Sequence, residues 1–446
     1  MAETNQITQQ LETKKISSLL LQYAIPAVIG TMVNALYNIV DRIFIGQGVG
    51  AMAISGLTLT FPILIFLQAF GMLVGIGTAT RVSIYLGRKQ HDMAEKVLGN
   101  ALTLTLLLSL LTLIPCMLWM DELLIAFGGS EQTIPFAKDY LYITIPGNIF
   151  AALSFSFNAV MRASGYPKKA MFAMLIGAIS NVILDAVFIF WLDMGIRGAA
   201  IATVIAMMIS ATFVMSHFLR KDTLVRFRRH TFRLQKEVVW GILSIGVSPF
   251  AMQLASSLVN VIMNHSLKTY GGDLAIGANG IISSIGMLLI MLNIGIAQGM
   301  QPIVGYNYGA GQHKRVMQTL KLVIITATII TGTGFLCSTL FPEVLVRAFT
   351  NDAEMTAISS NGLRLMLLMF LPVGSQVAIT QFFQSIGMAW KAMLLSLSRQ
   401  VIFLIPALLI LPQFWDLNGV WLSGPLSDIA AVITAWLFLW NHVRRP

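Results

Sequence analysis

Residues 17–45 read SSLLLQYAIPAVIGTMVNALYNIVDRIFI, and this run sets the class of the fold. It is longer than the about 20 mostly apolar residues that a helix needs to cross a bilayer. Its apolar residues do not alternate with polar ones, so the pattern favours a helix and not a strand of a membrane barrel. The stretch therefore predicts a membrane-spanning helix that carries a few polar side chains.

The rest of the chain repeats this pattern. Of 446 residues, 56% are hydrophobic and only 11% are charged, whereas soluble domains carry about 25% charged residues. A soluble enzyme is thereby excluded, and the fold class is an all-α polytopic membrane protein with twelve transmembrane helices. The eleven further apolar runs lie near 52–80, 97–120, 134–158, 170–192, 197–219, 237–264, 275–303, 318–341, 356–383, 393–412 and 419–441.

The 29 Lys and Arg residues give a net charge of +10, and their placement predicts orientation. Most lie at the two ends, in alternate connections and in the loop 220–236. By the positive-inside rule both termini and this loop are cytoplasmic, in the plasma (inner) membrane of the cell. This bias explains the basic loop without a nucleic-acid partner. The first residues show no removable signal peptide, and the two cysteines, Cys116 and Cys337, predict no disulfide framework.

An internal repeat divides the chain. Adding 222 to a number in the first half finds the same residue in the second, as for Gly87 and Gly309 or Gly165 and Gly387. This predicts an N-lobe at 1–219 (six helices), a basic cytoplasmic linker at 220–236 and a C-lobe at 237–446 (six helices). The lobes are related by a pseudo-twofold axis along the membrane normal. Two such bundles leave a cleft between them, which is typical of a secondary active transporter and not of an enzyme.

Three carboxylates lie within the apolar runs: Asp41, Asp185 and Asp428. A charge at mid-membrane costs about 2.5–3.5 kcal/mol or more, so it must be paired, protonated or liganded. Asp41 and Asp185 are both in the N-lobe, and their counterparts, Met263 and Ala407, do not ionise. The sequence therefore predicts an ionisable site in the N-lobe alone.

Helical spacing groups polar residues around these acids. Asp41 ends a stripe with Asn34, Tyr37 and Asn38, while Asn181 precedes Asp185 by one turn. If the stripes meet, their oxygens form a site for Na⁺, or two neighbouring acids share a proton. The alternative for Asp41 is a simple pair with Arg42, or a position too near the outer surface to matter.

Other residues have structural interpretations. Pro26 lies inside the first helix and predicts a kink, either static or acting as a hinge. Arg399 is the nearest partner for Asp428, which predicts a structural ion pair with a transport role as the alternative. The glycines at 71, 75, 77, 295 and 299 predict close helix packing, and Arg162 is expected to snorkel or cap near an interface. Abundant Met and Phe suit a pocket for flat apolar cations.

Taken together, these motifs resemble the MATE (multidrug and toxic compound extrusion) family of transporters over essentially the whole chain. The resemblance is closest to its DinF-like branch, especially the MepA-like members. The residues that carry it are Pro26, Asn34, Tyr37, Asp41, Asn181, Asp185, the run Gly198-Ala-Ala-Ile-Ala-Thr203 and the run Arg162-Ala-Ser-Gly165-Tyr-Pro167.

The resemblance implies export of drugs in exchange for H⁺ or Na⁺, with no other cofactor and no enzymatic activity. It implies a coupling site at Asp41, Asn181, Asp185 and Thr203, which would also be the Na⁺ ligands, and Asn158 matches a further polar position. The expected cargo is small, amphipathic and cationic, like drugs whose export confers drug resistance. The expected carrier is a monomer in the lipid bilayer. NorM-like members carry an acid on the seventh helix, but residues 249–260 hold none here, which puts a C-lobe coupling site in doubt.

The residues argue against two other functions. A flippase or exporter of lipid-linked or anionic metabolites should line its cleft with Arg or Lys, and few intramembrane bases are available. An intramembrane aspartyl protease would need Gly beside its second acid, but Asp185 is followed by Ala-Val-Phe.

Overall fold

A computed structural model of the chain describes residues 2–350 and 352–444, and no β-strand occurs among them. Among these described residues, eleven helices are long and apolar enough to cross a membrane, and a bent helix pair gives a twelfth span when the pair is taken as one. The predicted all-α fold with twelve spans is therefore confirmed.

The N-lobe contains six spanning helices, with a short helix before the first and another after the third. In chain order these are α1 (Ala2–Thr13), α2 (Ile16–Gly48), α3 (Ala51–Gly87), α4 (His91–Leu118), α5 (Met120–Ala126), α6 (Ile134–Ala163), α7 (Pro167–Asp185) and α8 (Gly195–Leu219). A π-helical turn, Ala186–Trp191, extends α7 directly after Asp185.

The C-lobe repeats this order after the linker. Its helices are α9 (Lys236–Gly272), α10 (Leu274–Gly309), α11 (His313–Leu340), α12 (Pro342–Arg347), α13 (Ala353–Met366), α14 (Phe370–Ser385), α15 (Ala389–Ile410) and α16 (Pro412–Arg444). The bent span is the pair α13 and α14, which meet at 53°. A second π-helical turn, Ser398–Leu404, lies inside α15.

The packing of the lobes shows their pseudo-twofold relation directly. A Cβ added to Gly87 would collide with the carbonyl oxygen of Tyr306, and one added to Gly309 would collide with that of Ile84. Each residue of one contact is 222 positions from its counterpart in the other. The same relation joins Gly50 and Gly272, which both turn the chain between two spans with positive φ angles of 112° and 68°. Only glycine adopts such angles without strain.

Glycines bring the lobes into backbone contact at one end of the molecule, the closed end. A Cβ at Gly299 would lie 2.6 Å from Ala24 Cα, and one at Gly295 would lie 2.7 Å from Val28 Cα. Gly77 faces the Ile242 carbonyl in the same way, while Gly71 and Gly75 pack on helix α6. The predicted use of these glycines for close helix packing is confirmed.

At the opposite end the lobes separate. One hydrophobic core at the closed end contains residues of both lobes, such as Val82 and Ile303. Toward the other end the buried residues divide into clusters that belong to one lobe only, around Leu57 and Leu67 in the N-lobe and around Trp421 in the C-lobe. A cleft therefore opens between the lobes away from the closed end, as expected for two facing bundles.

The N-terminal helix and the linker both lie at the closed end. The Tyr306 hydroxyl donates to Glu12 at 2.9 Å, and Arg315 donates to the carbonyl of Lys14 at 2.8 Å, so α1 and the start of α2 are tied to the C-lobe. In the linker, Arg226 and Arg228 pair with the buried carboxylate of Glu95. Of the basic residues used to predict orientation, Arg445 lies outside the described residues.

Candidate functional site

Asp41 and Asp185 meet inside the N-lobe. Asp41 lies on the inner face of α2 with 9% exposure, and Asp185 ends the α-helical part of α7 and is fully buried. Their carboxyl groups lie within hydrogen-bonding reach of each other. Both Asp185 oxygens and Oδ1 of Asp41 receive no hydrogen bond from a donor group of the described residues.

Buried carboxylates without donors cannot both remain charged and unliganded, because their mutual repulsion adds to the cost of desolvation. A shared proton or a bound cation removes both penalties. The geometry of the pair is thus suited to binding one proton or one small cation.

Neutral oxygens complete the cluster. The Asn181 amide Nδ2 donates to Thr203 Oγ1 at 3.4 Å across the α7–α8 interface. This hydrogen bond leaves Asn181 Oδ1 free of donors within the described part of the chain, although the residue is 2% exposed. Because Asn181 precedes Asp185 by four residues, both side chains lie on one face of α7. Carboxylate, amide and hydroxyl oxygens are the ligands that hard cations prefer.

Two tyrosines lie near the acids. Tyr37, which the sequence placed in the polar stripe, lies within electrostatic range of both carboxyl groups. Tyr140 on α6 was not predicted; it is buried, lies within range of both acids, and its hydroxyl reaches Thr203. The one sequence feature that could have pointed to Tyr140 is its hydroxyl group, which lies in the first part of an otherwise apolar run. The cluster thus draws on α2, α6, α7 and α8.

The rest of the stripe on α2 faces the cleft. Thr31 donates to the Met291 carbonyl of the C-lobe at 3.4 Å, which marks the side of α2 that points to the other lobe. At 100° per residue, Asn38 and Arg42 lie within about 20° of Thr31. Both side chains are exposed, and so is that of Asn34, whose carbonyl accepts a 2.6 Å hydrogen bond from Asn38 Nδ2.

Arg42 does not neutralise Asp41 as an ion pair. Its guanidinium lies 4.5 Å from the centroid of the Phe61 ring, and none of the ion pairs among the described residues joins it to Asp41. The structure therefore shows no direct Asp41–Arg42 ion pair, although the Arg42 charge lies within electrostatic range of Asp41.

Asn158 is not part of the cluster. Its amide donates to the Ala170 carbonyl at 2.7 Å, and its Oδ1 accepts from Arg162. It lies near the end of α6 that enters the closed end, whereas Tyr140 is near the other end of the same helix. Arg162 is 8% exposed, so it is buried with Asn158 and does not snorkel as expected.

Pro26 is buried inside α2, which continues as one helix from Ile16 to Gly48. The proline lies between Ala24 and Val28, the two residues packed on the glycines of α10. The helix that carries Asp41 therefore lacks one backbone hydrogen bond at the contact between the lobes. Whether that point hinges stays a prediction.

In the C-lobe the one predicted acid is paired. Arg399 Nε donates to Asp428 Oδ1 at 2.7 Å, joining α15 to α16. On the opposite wall of the cleft, α9 carries neutral polar residues, with the exposed Lys268 on the same face toward the open end. Gln253, Ser257 and Asn260 lie on α9 within about 40° of Gly246, which contacts the N-lobe at the closed end.

Two pseudo-symmetric six-helix lobes, a cleft open at one end and a buried cluster of polar oxygens are the features of a membrane carrier. Comparison with known proteins gives the family: the sequence model described as MatE matches residues 26–187 and 249–409. The chain belongs to the MatE family, whose members are transporters, as the resemblance implied.

Curated relatives align with the chain over nearly their whole length. The multidrug export protein MepA of Staphylococcus haemolyticus (strain JCSC1435) is 26% identical over 434 residues, which is 97% of this chain and 95% of the relative. MepA of Staphylococcus aureus (strain MSSA476) is 25% identical over 429 residues, with coverage of 96% and 94%.

Solved structures agree in fold. An outward-facing multidrug resistance MATE transporter of the MOP superfamily superimposes with a TM-score of 0.91 at 25% identity, covering 98% of this chain and 97% of the other. A MOP superfamily transporter from Pyrococcus furiosus gives a TM-score of 0.90 at 25% identity with the same coverage, and is described as having a binding pocket of reverse polarity.

Proposed function

We propose that the chain exports small amphipathic organic cations in exchange for H⁺ or Na⁺, with Asp41, Asn181, Asp185 and Thr203 as the coupling site. The observation that carries this proposal is the pair of buried carboxyl groups without donors. The staphylococcal relatives named multidrug export proteins support the class of cargo.

The site couples the two movements through α2. A cation on Asp41 and Asp185 relieves their repulsion and draws α2 and α7 together; its departure restores the repulsion. Because α2 also carries the closed-end contacts of Ala24 and Val28, a change at Asp41 alters the packing of the two lobes. An ion shifts an equilibrium between states only by its difference in affinity for them, and this shared helix supplies such a difference.

Three aromatic rings form a binding surface for cargo at the bottom of the cleft. Phe66, Phe70 and Phe250 form an edge-to-face series that crosses from one lobe to the other, with centroids 5.2 Å and 5.0 Å apart. Aromatic faces attract organic cations without a fixed hydrogen-bond pattern.

We place both termini and the linker on the cytoplasmic side of the plasma (inner) membrane, because the basic residues gather at the closed end. The cleft then opens outward. Six helices in each lobe form a complete cleft from one chain, which supports a monomer as the transporting unit.

The test is ethidium transport in liposomes with sodium and pH gradients imposed separately. One of the two gradients should drive transport in the wild type. Asp41→Asn and Asp185→Asn should lose that dependence while still inserting and folding. Asp139→Asn is the matched control, since this carboxylate is also in the N-lobe but pairs with Arg197 at the surface. Gradient-driven transport in Asp41→Asn would refute the coupling role.

A second candidate function is export of lipid-linked or anionic metabolites, and Arg42 is the observation that favours it. Its exposed guanidinium lies on the cleft-facing side of α2, where a carboxylate or phosphate would bind. Arg42→Gln should then abolish transport of an anionic dye such as carboxyfluorescein and leave ethidium transport intact. No carboxyfluorescein transport by the wild type would exclude this function.

A further inference from the structure

The C-lobe also contains a buried carboxylate, but its charge is balanced from within the chain. Asp428 has a side chain only 5% exposed, and Arg399 covers it from α15 with a guanidinium that is 31% exposed. The contrast with the N-lobe is direct, because there three of the four carboxyl oxygens of Asp41 and Asp185 meet no donor of the described residues.

The internal repeat relates the two places. Arg399 and Asp428 correspond to Gly177 and Ala206, 222 positions earlier. In the N-lobe a Cβ at Gly177 would lie 3.8 Å from the Ala206 carbonyl oxygen, so the equivalent helices touch at the equivalent point. Asn181 of the coupling site lies one turn beyond Gly177 on the same helix.

Each of these helices contains a π-helical turn beside its ionic group. The turn Ala186–Trp191 follows Asp185, and the turn Ser398–Leu404 contains Arg399. Such turns are rare and occur often at functional sites. The second turn also points Gln400 at α9, where its Nε2 donates to Ser256 Oγ at 2.8 Å. The residue next to Arg399 in the chain is therefore bonded to the helix that forms the C-lobe wall of the cleft.

We propose that Arg399 acts as a fixed cation, filling in the C-lobe the role that the exchangeable ion has in the N-lobe. The guanidinium keeps Asp428 neutralised through the whole cycle, so only the N-lobe takes up and releases an ion. Arg399 thus sets the number of coupling ions for each molecule of cargo. This inference rests on the proposed cation-coupled function.

The experiment counts the ions released when ethidium binds to purified full-length protein in detergent, with a pH indicator in weak buffer and a sodium-selective electrode. The wild type and Arg399→Lys should release the same number of ions. Arg399→Gln should release one more, because Asp428 then needs an external cation. The double variant Arg399→Gln/Asp428→Asn should return to the wild-type number. A purely structural ion pair would change stability but not this count.

A second variant keeps the inference testable if Arg399→Gln does not fold. Asp41→Asn/Asp185→Asn should release no ion, because the C-lobe holds no exchangeable ion. One residual ion would overturn the inference. An unchanged count in folded Arg399→Gln would also overturn it while leaving the N-lobe site intact. Absence of any release from the wild type would instead refute the proposed function, and the inference with it.

Discussion

Replacing Gly299 by Ala should weaken the closed end and shift the carrier toward the state in which that end is open. The new Cβ would lie 2.6 Å from Ala24 Cα, whereas ordinary contact begins at 3.4 Å. The two helices must therefore separate by about 0.8 Å, and the neighbouring atom is backbone, which does not rotate away. Overpacking of this kind costs about 1–3 kcal/mol.

This cost applies only while the lobes touch, so it changes the balance of states. A difference of about 1–3 kcal/mol corresponds to a population shift of about 5- to 150-fold. Gly280→Ala is the matched control, because Gly280 lies on the same helix and its Cβ would meet nothing within 4 Å. Both variants gain the same helix propensity, so their difference isolates the contact between lobes.

The assay is the distance between spin labels at positions 47 and 268, one on each lobe at the open end. In Gly299→Ala the population of short distances should grow as the open end narrows. In Gly280→Ala the distance distribution should match that of the labelled parent. Identical distributions in the two variants would refute the idea that close packing at Gly299 holds the closed end.

Three further outcomes are expected. Asp428→Asn should lower the thermal stability and the yield more than the transport rate per folded molecule. The loss in free energy of unfolding should stay below the about 3–5 kcal/mol of a fully buried pair, because Arg399 is partly solvated. A normal melting temperature with lost transport would place Asp428 in the transport pathway. Pro26→Ala should slow ethidium turnover if α2 bends there, since the variant restores a backbone hydrogen bond; unchanged turnover would make the kink static. Glu95→Gln should speed trypsin cleavage of the linker, because Arg226 and Arg228 lose their buried partner; the same cleavage rate would show that other contacts hold the linker.

The sequence predicts the fold well because membrane helices are long and uniformly apolar. Bounds such as 197–219 differ from α8 by only two residues, and the repeat predicts the symmetry of the lobes. The break between α13 and α14 was missed, since residues 356–383 are apolar on both sides of it and hydropathy does not register a bend.

The site was predicted in part. Helical spacing placed Asn181 beside Asp185, but nothing in one sequence states which faces of α2 and α7 meet, so the contact with Asp41 depended on an assumption. Tyr140 was missed because a hydroxyl in an apolar run carries no spacing signal. Asn158 was carried over from the resemblance, and its hydrogen bonds at the closed end separate it from the acids.

Infrared difference spectroscopy of the carboxyl groups tests the central claim most directly. Adding the coupling ion, H⁺ or Na⁺, to ion-free protein should produce carboxyl bands that disappear in Asp41→Asn and in Asp185→Asn and persist in Asp428→Asn. Bands that survive both N-lobe substitutions, or that vanish only in Asp428→Asn, would contradict the account.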